Sequence, residues 1–345
     1  MNSSVRNFSN EVPIVLVHLG KKLPLYLKAN LKYLRDIGAQ VVLVTDEEKI
    51  FRQYQARGFQ SYFYNQSSQQ LEKLSRLLNH NPKFRDGFWL KALVRFFALE
   101  EMMKEFKSEK IIHLESDIWI SKHFPIRKLA LQEFGVAFPL ASFKAGVPSV
   151  FYVSNIKAIV SFNTFLEQSI TANPESTDMS VLVDYAKMRS KEVRLLPTSK
   201  SFLIRNEDLP KEFINTNDSM DYWNGVFDAN ILGQYFFGWD PRNERGYRRL
   251  FEDQQENFAN PSKSNLKYRK SHLYISDGNL DIEIFNLHIH SKDHRVFFRF
   301  FFPVLIRVRL WQSKKGIRSQ PTLEIVFRKV RSIKHSFARR LKFYS

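Results

Sequence analysis

The sequence predicts an α/β fold, on the strength of three observations. Short β-branched apolar runs, typical of buried parallel strands, occur at residues 13–19 (PIVLVHL), 40–45 (QVVLVT) and 110–114 (KIIHL). Helical segments separate the first strands, as they do in a doubly wound sheet. The chain has 345 residues and is 43% hydrophobic, so a sizeable core is available. We therefore expect a mixed sheet flanked by helices.

A long helix is predicted at residues 88–107, after Gly87, and it is apolar on most faces. Lys91 and Arg95 are four residues apart on one face of this helix, where like charges repel. A bound anion or an acidic partner would relieve that repulsion. The alternative is that both side chains extend to solvent.

Two carboxylates, Glu115 and Asp117, directly follow the strand predicted at residues 110–114. Residues two apart on a strand point to the same side, so both should face one site. Open α/β sheets bind ligands at the carboxyl ends of their strands. Carboxylate oxygens suit Mg²⁺ or Mn²⁺, which in turn can hold the phosphates of a nucleotide.

A late strand is predicted at residues 282–289 (IEIFNLHI), and it brings His288 and His290 to one face. Neutral imidazole is a good ligand for transition metals. Lys292 follows and could contact a phosphate as a point charge. His290 is the preferred metal ligand at this stage, because it lies nearer the strand end and Lys292.

Composition excludes several classes of protein. The chain has no cysteine, which excludes disulfides, thiolate metal sites and cysteine nucleophiles. No signal peptide is evident, and no apolar run reaches the 18 residues that a membrane-spanning helix needs. The formal net charge is +18, of which +13 lies in residues 292–345. Within this basic tail, residues 325–343 predict an amphipathic helix that could lie on an anionic membrane.

The domain organisation predicted from these features has three parts. Residues 1–11 form a flexible polar tail, residues 12–295 a catalytic domain, and residues 296–345 a basic C-terminal extension. The catalytic domain divides near residue 120 into a nucleotide-binding half and an acceptor-side half.

The assembled motifs resemble nucleotide-sugar-dependent glycosyltransferases of the GT-A fold, especially bacterial enzymes of surface polysaccharide assembly. The resemblance covers residues 12–295. It is carried by VHLG (17–20), VTD (44–46), FWLKALVRFFAL (88–99), HLESD (113–117), TDM (177–179), FDANILGQYFFGWDPR (227–242) and NLHIHSK (286–292). The reaction that it implies is hexosyl transfer to a glycan or lipid-linked acceptor, with Mn²⁺ or Mg²⁺, on the cytoplasmic face of a membrane.

The resemblance also implies roles for the metal-site residues. Asp117 is similar to the direct metal ligand, and Glu115 to the acid that contacts the ribose, or the metal through water. His288 or His290 corresponds to the late metal-binding histidine. The first acid here is Glu rather than Asp, which leaves the donor sugar open.

Other positions resemble substrate contacts of the family. Lys292 resembles the diphosphate contact, Asp46 lies where the nucleoside is read, and Arg95 lies on the helix beside the diphosphate. Asp178 and Asp228 are candidates for a second catalytic carboxylate, but either could equally be a helix cap, and capping is the more common role for Asp178. No residue distinguishes inversion from retention.

Two further hypotheses belong to other functional classes. A metal-dependent hydrolase could use His-x-His, but barrel hydrolases carry that motif on the first strand, with further ligands downstream. A non-enzymatic nucleic-acid-binding protein would explain the sequence pI of about 9.8. No zinc finger, RNA-recognition sequence or heptad accompanies the charge, so we expect no nucleic-acid partner.

Overall fold

The structure is a computed structural model. It describes residues 12–65, 69–81, 83–198, 222–237, 265–277, 280–298 and 301–314. The predicted N-terminal tail, residues 1–11, and the predicted amphipathic segment, residues 325–343, lie outside these ranges.

The strands in the described ranges are β1 (Ile14–His18), β2 (Val41–Thr45), β3 (Gln60–Phe63), β4 (Ile111–Leu114), β5 (Ile118–Ile120), β6 (Val136–Ser142), β7 (Ala145–Gly146), β8 (Val150–Val153), β9 (Val193–Leu196), β10 (Gly225–Val226), β11 (Asn265–Arg269), β12 (His272–Asp277), β13 (Leu280–Ile284) and β14 (Asn286–His288). The α-helices are α1 (Leu25–Asp36), α2 (Glu48–Ala56), α3 (Gln69–Leu77), α4 (Phe88–Phe106), α5 (Ile126–Ala130), α6 (Ile156–Ala172), α7 (Asp178–Met188), α8 (Leu232–Phe237) and α9 (Phe301–Lys314).

The central sheet has the strand order β3-β2-β1-β4-β8-β6-β7, with β9 also paired to β6. Strands β1 to β4 run parallel, whereas β8 is antiparallel to β4 and to β6. The predicted α/β class, a mixed sheet flanked by helices, is confirmed. The chain passes from β1 to β2 and β3 on one side and returns to β4 on the other, so the direction of winding reverses between β1 and β4.

Both faces of the central sheet are covered, as the apolar character of its strands predicts. Val15 of β1 belongs to a core that contains Phe96 of α4 and Phe162 of α6. Its neighbour Leu16 points the other way, into a core with Leu31 of α1. This alternation fixes α1 and α4 on opposite faces of β1, where each borders the carboxyl end of the strand.

The late strand that the sequence predicts as one segment is two strands in two sheets. β13 joins a small sheet of order β10-β13-β12-β11, and β14 pairs antiparallel with β5. Phe285 separates them; its amide donates to the Val226 carbonyl at 2.9 Å, and its carbonyl accepts from the Ser121 amide at 2.7 Å. Hydrophobic runs do not reveal such a change of partner, because both segments are buried.

Helix α9 packs into the body of the protein, which corrects the domain boundary predicted at residue 295. Phe302 stacks on Trp119 of β5 with ring centroids 3.9 Å apart. Val304 and Ile306 are buried in the same core, and Pro303 lies in the first turn, where it costs no helical hydrogen bond. Only residues after Lys314 remain as a candidate extension. Across the described segments, no helix combines the length and apolarity that crossing a membrane requires.

Candidate active site

Glu115, Ser116 and Asp117 form the turn between β4 and β5 rather than part of a strand. The Ile118 amide donates to the Glu115 carbonyl at 3.0 Å and closes this turn. Asn30 of α1 donates its side-chain amide to the carbonyls of Ser116 and Ile118, each at 3.0 Å. The two carboxylates therefore share a site because a buried amide fixes the turn, and not through strand alternation as the sequence argument assumed.

The Asp117 side chain is buried between two nitrogen-bearing side chains. Nε2 of His288 lies 3.0 Å from Asp117 Oδ2, and Lys292 forms an ion pair with the same oxygen. Burial alone would raise the pKa of Asp117, but His288 and Lys292 outweigh it and hold the pKa below its usual value. Burial would lower the pKa of His288, whereas Asp117 and then Glu115 raise it above the ordinary imidazole value.

Arg95 of α4 joins Glu115 to Asp178. Its Nη1 donates to Glu115 Oε1 at 2.6 Å, and its Nη2 pairs with Asp178 Oδ2. Burial opposes the charge of both carboxylates. In Glu115 the neighbouring Arg95 and His288 prevail and lower the pKa, whereas in Asp178 burial prevails and the pKa is raised. Of the two outcomes that the sequence allowed for Arg95, the acidic partner is the one observed.

Asp178 is the first residue of α7 and does not cap it. The N-cap is Thr177, whose Oγ1 accepts from the Ser180 amide at 3.2 Å, and the Ser180 hydroxyl in turn contacts the Thr177 amide. Because the capping box does not use the Asp178 carboxylate, Asp178 Oδ2 is available to pair with Arg95. The sequence prediction of an Asp178 cap was one residue late.

Of the two late histidines, His288 faces the carboxylates. It pairs with Ile118 in the antiparallel register of β14 and β5, which places its ring beside Asp117. Its Nδ1 lies 3.6 Å from Glu115 Oε2 and has no hydrogen-bond partner. His290 lies in the following turn, with its ring centroid 5.6 Å from that of His288. The preference for His290 assumed that strand alternation continues to residue 290, but β14 ends at His288.

Lys292 reaches Asp117 from the loop after β14. Its backbone φ is 59°, in the left-handed region that non-glycine residues rarely adopt. Its amide donates to the Ile289 carbonyl at 2.8 Å, and its ammonium lies 5.3 Å from the Tyr26 ring centroid. Such backbone conformations cluster at functional sites, and this one directs the ammonium to a buried carboxylate.

The loops after β1 and β2 lie at the same edge of the sheet. Oδ1 of Asp46 accepts a hydrogen bond from the Gly20 amide at 2.7 Å and so holds the loop after β1. A side-chain carbon on Gly20 would lie 3.7 Å from His18 Nε2 and 3.9 Å from the Lys91 ammonium. His18 Nε2 is buried without a hydrogen-bond partner, and burial lowers the pKa of His18. The His18 imidazole and the Lys91 ammonium therefore lie next to the Gly20 backbone, which no side chain covers.

Asp228 is buried, and its carboxylate is bonded to backbone N–H groups. Its carboxylate accepts backbone N–H groups from Ile231 and Leu232 at 2.8 Å, Gly233 at 2.7 Å and His288 at 3.0 Å. These contacts cap α8 and tie it to β14. Of the two roles that the sequence left open for Asp228, catalytic carboxylate or helix cap, the cap is the one observed, and its oxygens also position the strand that carries His288.

These side chains meet where the direction of winding reverses, between β1 and β4, which is where open α/β sheets bind their ligands. The carboxylates of Glu115, Asp117 and Asp178 face the cationic groups of Arg95 and Lys292. In such a cluster, a bound metal ion can replace a cationic side chain beside the carboxylates. A cationic side chain can also turn to bind an anionic ligand.

Solved structures that match about half of the chain include the following two. One is described as a glycosyltransferase involved in the glycosylation of the major capsid of PBCV-1; it is 12% identical, with a TM-score of 0.33, over 53% of this chain and 82% of its own. The other is described as CMP:2-keto-3-deoxy-manno-octonic acid synthetase complexed with CTP; it is 12% identical, with a TM-score of 0.31, over 54% of this chain and 88% of its own.

No known protein-family profile and no curated protein sequence matches the chain. Because both matches are partial, the function proposed below is argued from the side chains of this site.

Sequence reasoning missed two residues of α1, Asn30 and Tyr26. Asn30 lies on the face formed by the buried residues Leu27, Leu31 and Leu34. A polar side chain on such an apolar face must find a partner in the protein, and this was the available signal. Tyr26 carried no comparable signal, because an aromatic residue in a helix is usually part of the core.

Proposed function

We propose that the protein is a glycosyltransferase that moves a sugar from a nucleotide diphosphate donor to a glycan or lipid-linked acceptor. The observation that carries the proposal is the Glu115–Asp117 turn, which presents a buried Asp117 carboxylate and a half-buried Glu115 carboxylate at the reversal point between β1 and β4. An anionic pair at that place, with the Lys292 ammonium beside it, suits a ligand that combines a diphosphate with a divalent ion.

The cations near the carboxylates have different parts in this proposal. Arg95 is held by Glu115 and Asp178 and is the more buried, with 12% of its side chain exposed, so it acts as a positioning residue. Lys292 is 22% exposed and pairs only with Asp117 among the ion pairs of the described residues. The Lys292 ammonium is therefore the group that can turn from Asp117 to the donor diphosphate.

The loops after β1 and β2 would hold the nucleotide. Gly20 leaves its backbone open, and Asp46 fixes that backbone by accepting from its amide. Lys91 beside Gly20 supplies a positive charge, and the unpaired Nε2 of His18 supplies a buried polar atom that a ligand would satisfy.

The residues present fit a divalent ion. Glu115, Asp117 and His288 offer carboxylate oxygens and an imidazole nitrogen, and His288 Nδ1 is buried and unpaired. These residues would hold Mn²⁺ or Mg²⁺, with Lys292 withdrawn from Asp117. When bound, the ion would neutralise charge on the departing diphosphate.

The cellular setting is part of the proposal. A lipid-linked acceptor in surface polysaccharide assembly would place the enzyme on the cytoplasmic face of a membrane. The basic residues after Lys314 would then bind anionic lipid. The alternative of a His-x-His hydrolase is less well supported, because the motif spans the end of β14, with His288 beside Asp117 and His290 in the following turn.

The test is release of nucleoside diphosphate by the full-length protein from a panel of nucleotide sugars, with and without Mn²⁺. Asp117→Asn keeps the size of the side chain but removes its charge, and should lower turnover by about 100-fold or more. Asp36→Asn, at an aspartate whose side chain is 53% exposed on α1, is the matched control and should not change turnover. Wild-type turnover by Asp117→Asn would refute the site assignment.

A further inference from the structure

Among the described residues, a second group of metal-ligand side chains lies apart from the Glu115–Asp117 turn. It consists of His123, in the loop after β5, His272, the first residue of β12, and Glu283 of β13. We call it the Glu283 cluster. One nitrogen from each histidine and one carboxylate oxygen all lie within 4.8 Å of one another.

Both histidines approach the same carboxylate. Nδ1 of His272 lies 3.0 Å from Glu283 Oε1, and Nδ1 of His123 lies 3.1 Å from Glu283 Oε2. The imidazole rings are stacked, with centroids 3.9 Å apart and planes inclined by 16°. Each histidine nitrogen therefore lies beside a different oxygen of the Glu283 carboxylate.

The backbone explains why His272 and Glu283 meet. Lys270 and Ser271, at φ 49° and 69°, form a two-residue hairpin turn that makes His272 the first residue of β12. Glu283 is directly opposite Tyr274, two residues from His272, so His272 is the diagonal neighbour of Glu283 on one face.

The loop that carries His123 is also fixed. The Ser121 amide donates to the Phe285 carbonyl at 2.7 Å, and the His123 amide donates to Ser121 Oγ at 3.2 Å. Ser121 Oγ donates to Glu283 Oε1 at 3.0 Å. The serine thus orients the carboxylate and the histidine together, as a supporting hydrogen bond does at a metal site.

These distances match the spacing of ligands around one ion. Ligand atoms about 2.0–2.1 Å from a tetrahedral Zn²⁺ are separated by roughly 3.3 Å. The observed N···O separations of 3.0 and 3.1 Å are close to that value, but each is to a different oxygen of Glu283, so the stacked rings must turn for both nitrogens to face one ion. His272 and Glu283 are 12% and 11% exposed, whereas His123 is 61% exposed, so an ion could enter from the His123 side.

We propose that His123, His272 and Glu283 bind one divalent transition-metal ion of the Zn²⁺ type, with a fourth position open to water. Two imidazoles and one carboxylate are a donor set that suits such an ion. The bound ion would join the loop after β5 to the β12–β13 hairpin. Because β13 leads directly into β14, this link would also stabilise the strand that carries His288.

The experiment uses untagged full-length protein, freed of metal by a chelator and titrated with Zn²⁺ by calorimetry. Asp117→Asn removes a ligand of the proposed active site and should still bind one equivalent at the Glu283 cluster. His123→Ala, at the most exposed ligand, should weaken binding at the cluster by more than about 100-fold, and Ser121→Ala by about 10-fold.

Thermal unfolding gives a second readout. Zn²⁺ should raise the Tm of Asp117→Asn, which lacks a ligand of the proposed active site, but not that of the double variant Asp117→Asn/His123→Ala. The matched control is His80→Ala, at a histidine whose Nδ1 lies 3.8 Å from Glu175 outside the cluster, and it should bind Zn²⁺ as wild type does. The proposal is overturned if Asp117→Asn binds no Zn²⁺ at micromolar concentration, or if adding His123→Ala to that variant leaves its affinity for Zn²⁺ unchanged.

Discussion

His113, in the strand that precedes the Glu115–Asp117 turn, shows how burial sets the behaviour of a single side chain. It is 1% exposed, and its Nδ1 lies 3.0 Å from the Val15 carbonyl. Burial first, and the nearby Arg95 second, lowers its pKa to about 3. The imidazole is therefore neutral in the folded protein at any pH at which an enzyme normally works.

We expect His113 to destabilise the protein as the pH falls. An unfolded chain takes up a proton near pH 6.5, whereas folded His113 takes it up only near pH 3. The free energy of unfolding should therefore fall by about 1.4 kcal/mol per pH unit as the pH decreases through this interval, and be unaffected above it.

The variant His113→Asn tests this expectation, because an Asn amide can still donate to the Val15 carbonyl but does not titrate. Urea unfolding of both proteins at pH 6.5 and pH 5 should show a loss for wild type about 2 kcal/mol larger than for the variant. Equal losses would show that the pKa of His113 is the same in the folded and the unfolded protein.

At the residue scale, the sequence predicted the chemistry better than the geometry. Glu115, Asp117 and Arg95 could be found because charged residues inside apolar segments need partners. The choice of His288 could not be made from sequence, since it depends on β14 ending there and pairing with β5. The choice between a catalytic and a capping role for Asp228 could not be made from sequence, because a carboxylate that accepts four backbone N–H groups looks in sequence like any other.

At the element scale, close packing of α8 against β14 determines where His288 lies. Gly233 is in the first turn of α8, and a side-chain carbon at this position would overlap the backbone carbonyl of His288. Glycine is therefore required at position 233, because there is no room for a side chain.

We expect Gly233→Ala to displace β14, lower the free energy of unfolding by about 3 kcal/mol, and reduce the proposed sugar transfer through the shift of His288. Gly58→Ala is the control. Gly58 has φ 79° but no atom near its would-be side chain, so only backbone strain of about 1 kcal/mol applies. Urea unfolding measures both, and equal losses would contradict the proposed overlap.

Elements defined by continuous apolar runs were the predictable ones. β1, β2 and β4 lie within one residue of their predicted bounds at each end, because a buried parallel strand is apolar on both faces. The β11–β12 hairpin was not predicted, since Lys270-Ser271 lacks the Gly or Asn that usually marks a two-residue turn.

At the scale of the whole molecule, the basic C-terminus has two different parts. α9 belongs to the core through Phe302, whereas residues 315–345 contain nine Lys or Arg and one Glu, a net charge of +8. The sequence could not separate these parts, because both alternate basic and apolar residues. A protein shortened to residue 292 would lose core packing, so the membrane proposal should be tested on a protein that ends at Lys314.

We expect the full-length protein to co-sediment with anionic vesicles at low salt, and the protein ending at Lys314 to do so far less. Each basic residue near an anionic surface contributes about 1 kcal/mol, so losing +8 removes most of the attraction. Neutral vesicles are the control. Equal sedimentation of both proteins would contradict a membrane role for residues 315–345, and preferential binding of the full-length protein to duplex DNA would favour the nucleic-acid hypothesis.

The ion pair between Asp117 and Lys292 also has a consequence for biosynthesis. Its partners are 175 residues apart in sequence. At 5–20 residues per second, the ribosome would add Lys292 roughly 10 to 35 s after Asp117. During that interval a nascent chain that had already formed β1 to β4 would lack both His288 and Lys292, leaving the Asp117 carboxylate without its partners. We therefore expect the turn that carries Asp117 to stay exposed to water until the ribosome has added His288 and Lys292.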